Sequence, residues 1–236
     1  KTCDVLHLSM SGPRPKPDMP AGIQVEEYGL SVDRRNRADI SRKALLQFFS
    51  VPVDHLTAIG VLADHFRADD LRDCVVVSPD LGNAKTATQF ARLLGLPVAA
   101  GSKMRKADDR VVIDMIVGDV AGKRAIILDD EIATGGSISE LLDRLKDFGC
   151  TEAAVACTHG LFTGRAVERL STHPMISQVI TTDTIPAPTD WSALRVRSVA
   201  DLFAEAIARI HAGTSVSSLF DGVDPTHAPP QPTLFA

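Results

Sequence analysis

Two neighbouring carboxylates and a pair of glycines stand close together near the middle of this 236-residue chain. Asp129 and Asp130 follow the apolar run 125–128, and a loop of small residues then leads into a helical pattern. Because glycines let a ligand approach the backbone, the N–H groups of this loop and the positive end of the helix are suited to bind a dianionic phosphate. The loop positions expected to contact it are Ala133, Thr134, Gly135, Gly136 and Ser137.

The two carboxylates are expected to stand beside that phosphate rather than to bind it, because like charges repel. They are suited to accept hydrogen bonds from sugar hydroxyls or to hold Mg²⁺, a hard cation that prefers oxygen. Ser137 and Glu140 match the S-x-x-E capping box, which predicts a helix from about residue 138. The alternative interpretation is a plain strand-to-helix turn with the two acids at a solvated strand end, but strand, acids, loop and cap occurring together favour a phosphate site.

Strand and helix patterns alternate along most of the chain, which predicts a doubly wound α/β fold with a parallel sheet. Strands are expected at residues 74–77, 98–100, 111–117, 125–128, 153–158, 178–182 and 194–199. Helices are expected at residues 58–66, 84–94, 138–148, 164–170 and 199–212. Residues 101–110 are expected to form a loop, and the proline-containing residues 1–38 to be mostly irregular. Such sheets bind ligands beyond the carboxyl ends of their strands, where the paired acids stand.

Composition argues against several classes of function. A formal net charge of −5 disfavours nucleic acid as a partner, since binding a phosphate backbone needs a basic surface. No apolar run reaches the roughly 20 residues of a membrane span, and the N-terminus lacks the apolar core of a secretory signal. The cysteines, which are Cys3, Cys74, Cys150 and Cys157, have no metal-type spacing and are expected to be reduced. We therefore expect a cytoplasmic protein.

The segment from Asp129 to Ser137 resembles the phosphoribosyl-diphosphate fingerprint of the type I phosphoribosyltransferase fold. Within that fold, the chain resembles the ribose-phosphate pyrophosphokinase family from about Phe48 to Phe220. Residues 48–56 look like the family's link between two domains, and residues 76–82 look like its loop for pyrophosphate and a magnesium ion. Lys103 and Arg105 fall at the lysine and arginine positions of its mobile catalytic loop. Segments 157–160, 182–186 and 215–220 also match in order and spacing.

The resemblance implies an enzyme that transfers the diphosphoryl group of magnesium-bound ATP to ribose 5-phosphate, giving phosphoribosyl diphosphate and AMP. Lys103 and Arg105 are then the catalytic residues, with solvated loop charges as the alternative for a K-x-R pair. The residues of the implied pyrophosphate loop are Asp80, Leu81, Gly82 and Asn83. Asp80 is the implied Mg²⁺ ligand, with a helix-capping carboxylate as the alternative, and His159 is expected to be structural. The family also implies a homo-oligomer, either a dimer or a hexamer.

The chain departs from the family's pattern at several positions. Ser41 stands where an ungapped alignment places a histidine that helps to bind magnesium, Asn83 replaces a glycine, and Ala133 replaces an aspartate. Only 47 residues precede Phe48, so we expect an incomplete or degenerate N-terminal second domain and linker in residues 1–52. The expected divisions that follow are a phosphoribosyltransferase-like domain at 53–190, a strand and helix at 191–220, and a flexible tail at 221–236.

Two other functions are compatible with the same residues. A non-catalytic protein associated with the synthetase would keep the fold and the oligomer contacts, and would regulate active partners. A nucleobase phosphoribosyltransferase would use the same phosphate cradle, but no segment of the sequence is a candidate for its base-binding hood.

Overall fold

The computed structural model describes residues 6–11, 22–24, 53–105 and 111–219. The strands are β1 (Leu6–Ser11), β2 (Gly22–Gln24), β3 (Val53–Leu56), β4 (Cys74–Ser78), β5 (Val98–Arg105), β6 (Val111–Val117), β7 (Arg124–Ile132), β8 (Glu152–Gly160), β9 (Ile176–Thr182) and β10 (Leu194–Arg197). The helices are α1 (Ile59–Phe66), α2 (Ala84–Leu94), α3 (Gly136–Asp147), α4 (Ala166–Ser171) and α5 (Ala200–His211), followed by a 3₁₀ turn at Ser217–Leu219. None of these helices is long and apolar enough to cross a membrane.

Residues 61–199 form one compact unit around a seven-stranded sheet in the order β10-β9-β8-β7-β4-β5-β6. Neighbouring strands run parallel, except that β6 pairs antiparallel with β5 at one edge. On one face of the sheet, Leu141 of α3 and Leu170 of α4 share a core with alternate strand residues such as Val77. β4 is buried along its whole length, so its other face is covered as well. The predicted doubly wound α/β sheet is confirmed.

The chain leaves the sheet in opposite directions from the neighbouring strands β4 and β7. From β4 it passes through α2 to β5 on one side, and from β7 it passes through α3 to β8 on the other. β4 and β7 pair in parallel with Val77 opposite Ile127, so their carboxyl ends reach the same edge of the sheet. A reversal of this kind creates the crevice in which doubly wound proteins bind ligands. Asp129 and Asp130 lie on β7 at that crevice.

The described residues before 61 and after 199 belong to a second compact unit. In it, β1 pairs antiparallel with β2 and with β3 to form a three-stranded sheet. The expectation of an irregular N-terminal region is therefore wrong for β1 and β2. Apolar and polar residues alternate along β1, a strand pattern that the nearby prolines obscured. Cys3, Ser41 and the tail expected at 221–236 lie outside the described residues.

Two strands, β5 and β7, extend farther than predicted and therefore include candidate site residues that were expected in loops or at strand ends. β5 continues to Arg105, so the loop expected at 101–110 is wrong for residues 101–105, and Lys103 lies on a strand. The reason is that β6 folds back along β5 and supplies hydrogen-bond partners, which a local run of polar residues does not reveal. Residues 106–110 lie outside the described part of the chain. β7 likewise continues to Ile132, which places the paired acids within the strand.

The backbone of β5 passes close to the loop that follows β4. A Cβ atom added at Gly101 would lie 2.8 Å from the carbonyl oxygen of Pro79, and 3.4 Å from side-chain carbons of Ile113 and Leu141. Side-chain carbons do not approach a backbone oxygen so closely, so any larger residue must displace the strand or the loop. Gly101 thus allows β5 to pack against the loop that follows β4.

We expect Gly101→Ala to lower the free energy of unfolding by about 1 to 3 kcal/mol, because the added methyl group overpacks a filled site. Ser102→Ala, at a half-buried neighbour on the same strand, is the matched control. It should change the free energy by less than about 0.5 kcal/mol. Urea denaturation measures both variants. Equal stability of the wild type and Gly101→Ala would show that β5 and the Pro79 carbonyl are not in tight contact.

Candidate active site

The loop after β4 is fastened to β7 at the crevice. The side-chain Nδ2 of Asn83 donates a hydrogen bond of 3.3 Å to the carbonyl oxygen of Leu128, one residue before Asp129. The carboxylate Oδ1 of Asp80 accepts a hydrogen bond of 3.1 Å from the backbone N–H of Asn83. Asp80 and Asn83 are half-buried, whereas Leu81 and Gly82 are exposed. The structure therefore brings the predicted pyrophosphate loop beside the predicted sugar-binding acids.

The hydrogen bond of Asp80 bears on its two expected roles. One carboxylate oxygen accepts a hydrogen bond from the N–H of Asn83, the residue before α2, so this bond closes the loop that leads to the helix and does not cap the first turn of the helix. The metal-ligand role of Asp80 stays a prediction. Among the described residues, no group of three or more histidine, cysteine, aspartate or glutamate side chains converges on a metal position.

The loop between β7 and α3 turns at Gly135, the residue before the helix. Its φ of 68° lies in the left-handed region, which glycine adopts without the steric cost that other residues meet. The chain then enters α3 at Gly136, and the first N–H groups of any α-helix have no intrahelical acceptor. Thr134, Gly136 and Ser137 are exposed, so an anion has access to this turn. This geometry agrees with the predicted phosphate cradle, and the binding of phosphate there stays a prediction.

The predicted capping box is wrong. α3 begins at Gly136, so Ser137 lies inside the first turn, and no side chain caps the helix at Gly135. The carboxylate of Glu140 instead accepts a hydrogen bond of 2.7 Å from the backbone N–H of Ile113 in β6. The S-x-x-E pattern predicted the wrong partner for Glu140, because the backbone of the neighbouring strand β6 binds its carboxylate instead. This arrangement favours ligand binding, since Gly135, the residue before the helix, has no side chain that could occupy the N–H groups of the first turn.

The segment between β8 and α4 supports the near end of the cradle. The backbone N–H of Phe162 donates to the carbonyl oxygen of Ile132 at 3.0 Å, and that of Thr163 donates to Ala133 at 2.8 Å. These bonds continue the pairing of β8 with β7 beyond the end of the regular ladder. The chain that leads into the cradle is therefore held on the β8 side by backbone contacts.

The short helix α4 supports the turn itself. The guanidinium of Arg169 donates a hydrogen bond to the carbonyl oxygen of Thr134. A Cβ atom added at Gly135 would lie 3.2 Å from Cγ of Leu170, so the turn rests directly on that side chain. Sequence reasoning missed Arg169 because no local pattern links α4 to the loop. Its charge at the rim of the cradle would stabilise a bound dianion.

The paired acids are held at the end of β7 by local hydrogen bonds. Oδ1 of Asp129 accepts from the backbone N–H of Asp130 at 2.9 Å, and Oδ1 of Asp130 accepts from the N–H of Glu131 at 3.0 Å. Both carboxylates are half-buried. The alternative of a fully solvated strand end is therefore disfavoured.

His159 lies on β8, next to the strand that carries the acids. Its Nδ1 is 2.9 Å from the hydroxyl oxygen of Thr184, and that hydroxyl also lies 3.1 Å from the carbonyl oxygen of Thr158. Burial lowers the pKa of His159 below its ordinary value, and the negative charge of Asp130 partly opposes this lowering. These contacts agree with the structural role expected for His159.

Lys103 and Arg105 lie at the carboxyl end of β5, beyond the part of this strand that pairs with β4. β5 runs parallel to β4, and their last pair is Ser78 with Ala100. Lys103 follows three residues later, about 10 Å farther along the strand. The backbone of the K-x-R segment thus reaches the same edge as the two loops. Its catalytic role stays a prediction.

Gly135→Ala and Gly136→Ala form a matched pair. At residue 135 the backbone of the alanine must adopt the left-handed conformation, and its methyl group must fit above Leu170. We therefore expect a loss of about 1 to 2 kcal/mol in the free energy of unfolding. At Gly136 the nearest atoms to the new Cβ lie at 3.7 Å, and stability should change by less than about 0.5 kcal/mol. Thermal denaturation measures both. A lower stability for Gly136→Ala than for Gly135→Ala would contradict this assignment of the strained turn.

His159 should make stability depend on pH under mildly acidic conditions. Because burial lowers its pKa in the folded state, the unfolded chain takes up a proton first as the pH falls below the ordinary value of 6.5. The contribution is therefore complete above pH 6.5 and declines from there toward the folded-state pKa. His159→Gln should lose this part of the dependence in urea denaturation between about pH 5 and 7.5. The same pH dependence in both proteins would contradict the assignment.

Comparison with known proteins relates the chain to one group of enzymes. Residues 112–221 match the model of the phosphoribosyl synthetase-associated domain. A Streptomyces coelicolor protein provisionally named ribose-phosphate pyrophosphokinase is 56% identical over 176 residues, which are 74% of this chain and 56% of that protein. The ribose-phosphate pyrophosphokinase of Caldanaerobacter subterraneus subsp. tengcongensis is 44% identical over 185 residues, which are 77% of this chain and 58% of that protein.

A solved structure gives the same relationship. The crystal structure of phosphoribosylpyrophosphate synthetase from Mycobacterium smegmatis matches with a TM-score of 0.63 and 35% identity, covering 72% of this chain and 55% of that chain. The chain thus spans somewhat more than half the length of the relatives it matches. Because sequence and fold agree, the chain belongs to the ribose-phosphate pyrophosphokinase family of transferases.

Proposed function

We propose that the protein containing this chain transfers the diphosphoryl group of magnesium-bound ATP to the anomeric hydroxyl of ribose 5-phosphate, giving phosphoribosyl diphosphate and AMP. The observation that carries the proposal is the crevice between β4 and β7. There the paired acids of β7 lie close to the start of α3, which follows a left-handed turn at Gly135. The reaction class is supported by relatives named ribose-phosphate pyrophosphokinase.

Ribose 5-phosphate fits the crevice with its phosphate at the first turn of α3 and its ribose beside β7. The N–H groups at the helix start donate to the phosphate oxygens, and the positive end of the helix stabilises the dianion. Arg169, held by the carbonyl of Thr134, adds a positive charge at the rim. Asp129 and Asp130 accept hydrogen bonds from the ribose hydroxyls. This orientation keeps the carboxylates away from the phosphate charge.

Magnesium arrives in this reaction bound to ATP. Proteins that use Mg²⁺ with nucleotide phosphates commonly supply only one or two carboxylates, and the phosphates supply further oxygens. Asp80 fits such a position, because it is half-buried at the end of β4 in a loop fastened to β7. The ion neutralises part of the charge on the transferred group. Asp80 also keeps its loop ordered through its hydrogen bond to Asn83.

Lys103 and Arg105 supply the transition-state contacts in this proposal. The ribose hydroxyl oxygen forms a bond to the β-phosphorus of ATP, the bond from that phosphorus to the oxygen bridging the α-phosphate breaks, and the hydroxyl proton is lost. Negative charge spreads over the bridging and leaving oxygens as AMP departs. The two cations on β5 stabilise this charge, which develops only in the transition state. They therefore lower the activation barrier of the transfer more than they strengthen substrate binding.

The proposal includes a cytoplasmic homo-oligomer, either a dimer or a hexamer. Cys74, Cys150 and Cys157 are buried and form no disulfide among the described residues, as in a reducing compartment. Met115 and Val117 expose 56% and 51% of their surface on the edge strand β6. Exposed apolar side chains grouped on one strand are typical of surfaces that associate.

The deciding assay measures AMP release from ATP with ribose 5-phosphate and Mg²⁺, using the complete translated protein. We expect release that depends on ribose 5-phosphate. Lys103→Ala and Arg105→Ala should each lower kcat by about 100-fold or more, with little change in the KM for ribose 5-phosphate. Asp129→Asn should instead raise that KM, because it weakens acceptance of the ribose hydroxyls.

Arg92→Ala is the matched control, since it removes an exposed cation in the last turn of α2 and should leave kcat unchanged. A kcat for Lys103→Ala equal to that of the wild type would show that Lys103 is not a catalytic residue. A wild-type protein that binds phosphoribosyl diphosphate but releases no AMP would overturn the proposal in favour of a non-catalytic associated protein.

A further inference from the structure

The hairpin of β5 and β6, which carries Lys103 and Arg105, is held at one residue by two side chains of α3. Oε1 of Glu140 accepts a hydrogen bond of 2.7 Å from the backbone N–H of Ile113. Nε of Arg144 donates a hydrogen bond of 2.9 Å to the backbone carbonyl oxygen of Ile113. Side chains four residues apart lie on the same face of a helix, so together they bind both polar groups of one residue.

Ile113 is the residue that pairs with Lys103. The register passes from Ser102 opposite Met115 to Lys103 opposite Ile113, so it skips Asp114 and creates an irregularity in β6. A bulge interrupts the regular ladder of backbone hydrogen bonds. Ile113 is only 1% exposed, and a buried backbone group without a partner costs about 1 to 3 kcal/mol. Glu140 and Arg144 supply partners at that place.

The helix that binds Ile113 is also the helix whose first turn forms the phosphate cradle. Gly136 and Glu140 are four residues apart, which is about 6 Å along the helix axis. Leu141, the next residue, approaches the position of a Cβ at Gly101 together with Ile113, so α3 also packs against β5. One rigid element thus contacts both the proposed phosphate position and the strand pair that carries the K-x-R segment.

We propose that Glu140 and Arg144 are positioning residues for diphosphoryl transfer. By holding the backbone of Ile113, they set the distance between the Lys103 to Arg105 segment and the cradle at the start of α3. The inference rests on the proposed function and names residues that act through Ile113 rather than by touching substrate. Its physical basis is that a displacement of about 1 Å in a catalytic group can lower the rate about 100-fold.

The test compares Glu140→Ala, which removes the acceptor, with Glu140→Gln, which keeps a carbonyl oxygen at the same place. Arg144→Ala removes the other hydrogen bond and serves if Glu140→Ala does not fold. Lys146→Ala, at an exposed site on the same helix, is the matched control. Amide hydrogen exchange of β5, β6 and the cradle is measured on the complete translated protein, together with kcat and the KM for ribose 5-phosphate.

For Glu140→Ala we expect hairpin amides to exchange about tenfold faster or more, while the amides of residues 133–138 change little. The value of kcat should fall about tenfold or more with little change in the KM for ribose 5-phosphate. Glu140→Gln should restore most of both properties, and Lys146→Ala should behave as the wild type. A role in stability alone would not separate kcat from KM in this way.

Unchanged hairpin exchange in Glu140→Ala would overturn the inference, as would an unchanged kcat in a protein that releases AMP. An equal loss of kcat and of ribose 5-phosphate affinity would also overturn it, because the variant would then have disturbed the cradle. If the wild type releases no AMP, the proposed function fails separately. Hydrogen exchange then decides alone whether Glu140 holds the strand opposite Lys103.

Discussion

The candidate site depends on one backbone constraint, the left-handed turn at Gly135. This turn carries the chain from β7, which bears the paired acids, into α3, so that the acids and the start of the helix lie only a few residues apart. Left-handed geometry costs other residues about 1 to 2 kcal/mol, and the Leu170 side chain lies directly beneath. The segment between β8 and α4 and the side chain of Arg169 bind the carbonyl groups of residues 132–134, which precede the turn. These contacts hold the backbone that leads into the proposed cradle.

The parts of the fold that local patterns control could be predicted from the sequence. The apolar run of β4 and its neighbours on the parallel sheet, together with the helices between them, predicted the doubly wound fold, because such strands are buried on both faces. The same argument placed Asp129 and Asp130 at a carboxyl end. The position of the turn followed from Gly135 and Gly136, since few other residues allow it.

The remaining features depend on partners that are distant in sequence. Nothing near Lys103 indicates that β6 returns to pair with it, so a strand was taken for a loop. Glu140 matched a capping box, yet its carboxylate binds Ile113, whose N–H lies on the bulged strand. Arg169 reaches Thr134 only because β8 and α4 fold back beside β7. For β5 and Glu140, tertiary hydrogen bonds outweighed the local preference on which the prediction depended, whereas for Arg169 no local pattern existed.

The central claim is that the backbone at the start of α3 binds the phosphate of ribose 5-phosphate. The most direct measurement follows backbone amide resonances by NMR as ribose 5-phosphate is added, with ribose and inorganic phosphate titrated in parallel. The account predicts the largest changes at the amides of residues 134–138, with inorganic phosphate affecting the same amides and ribose alone leaving them nearly unchanged. The largest changes elsewhere, with these amides unmoved at saturating ribose 5-phosphate, would contradict it.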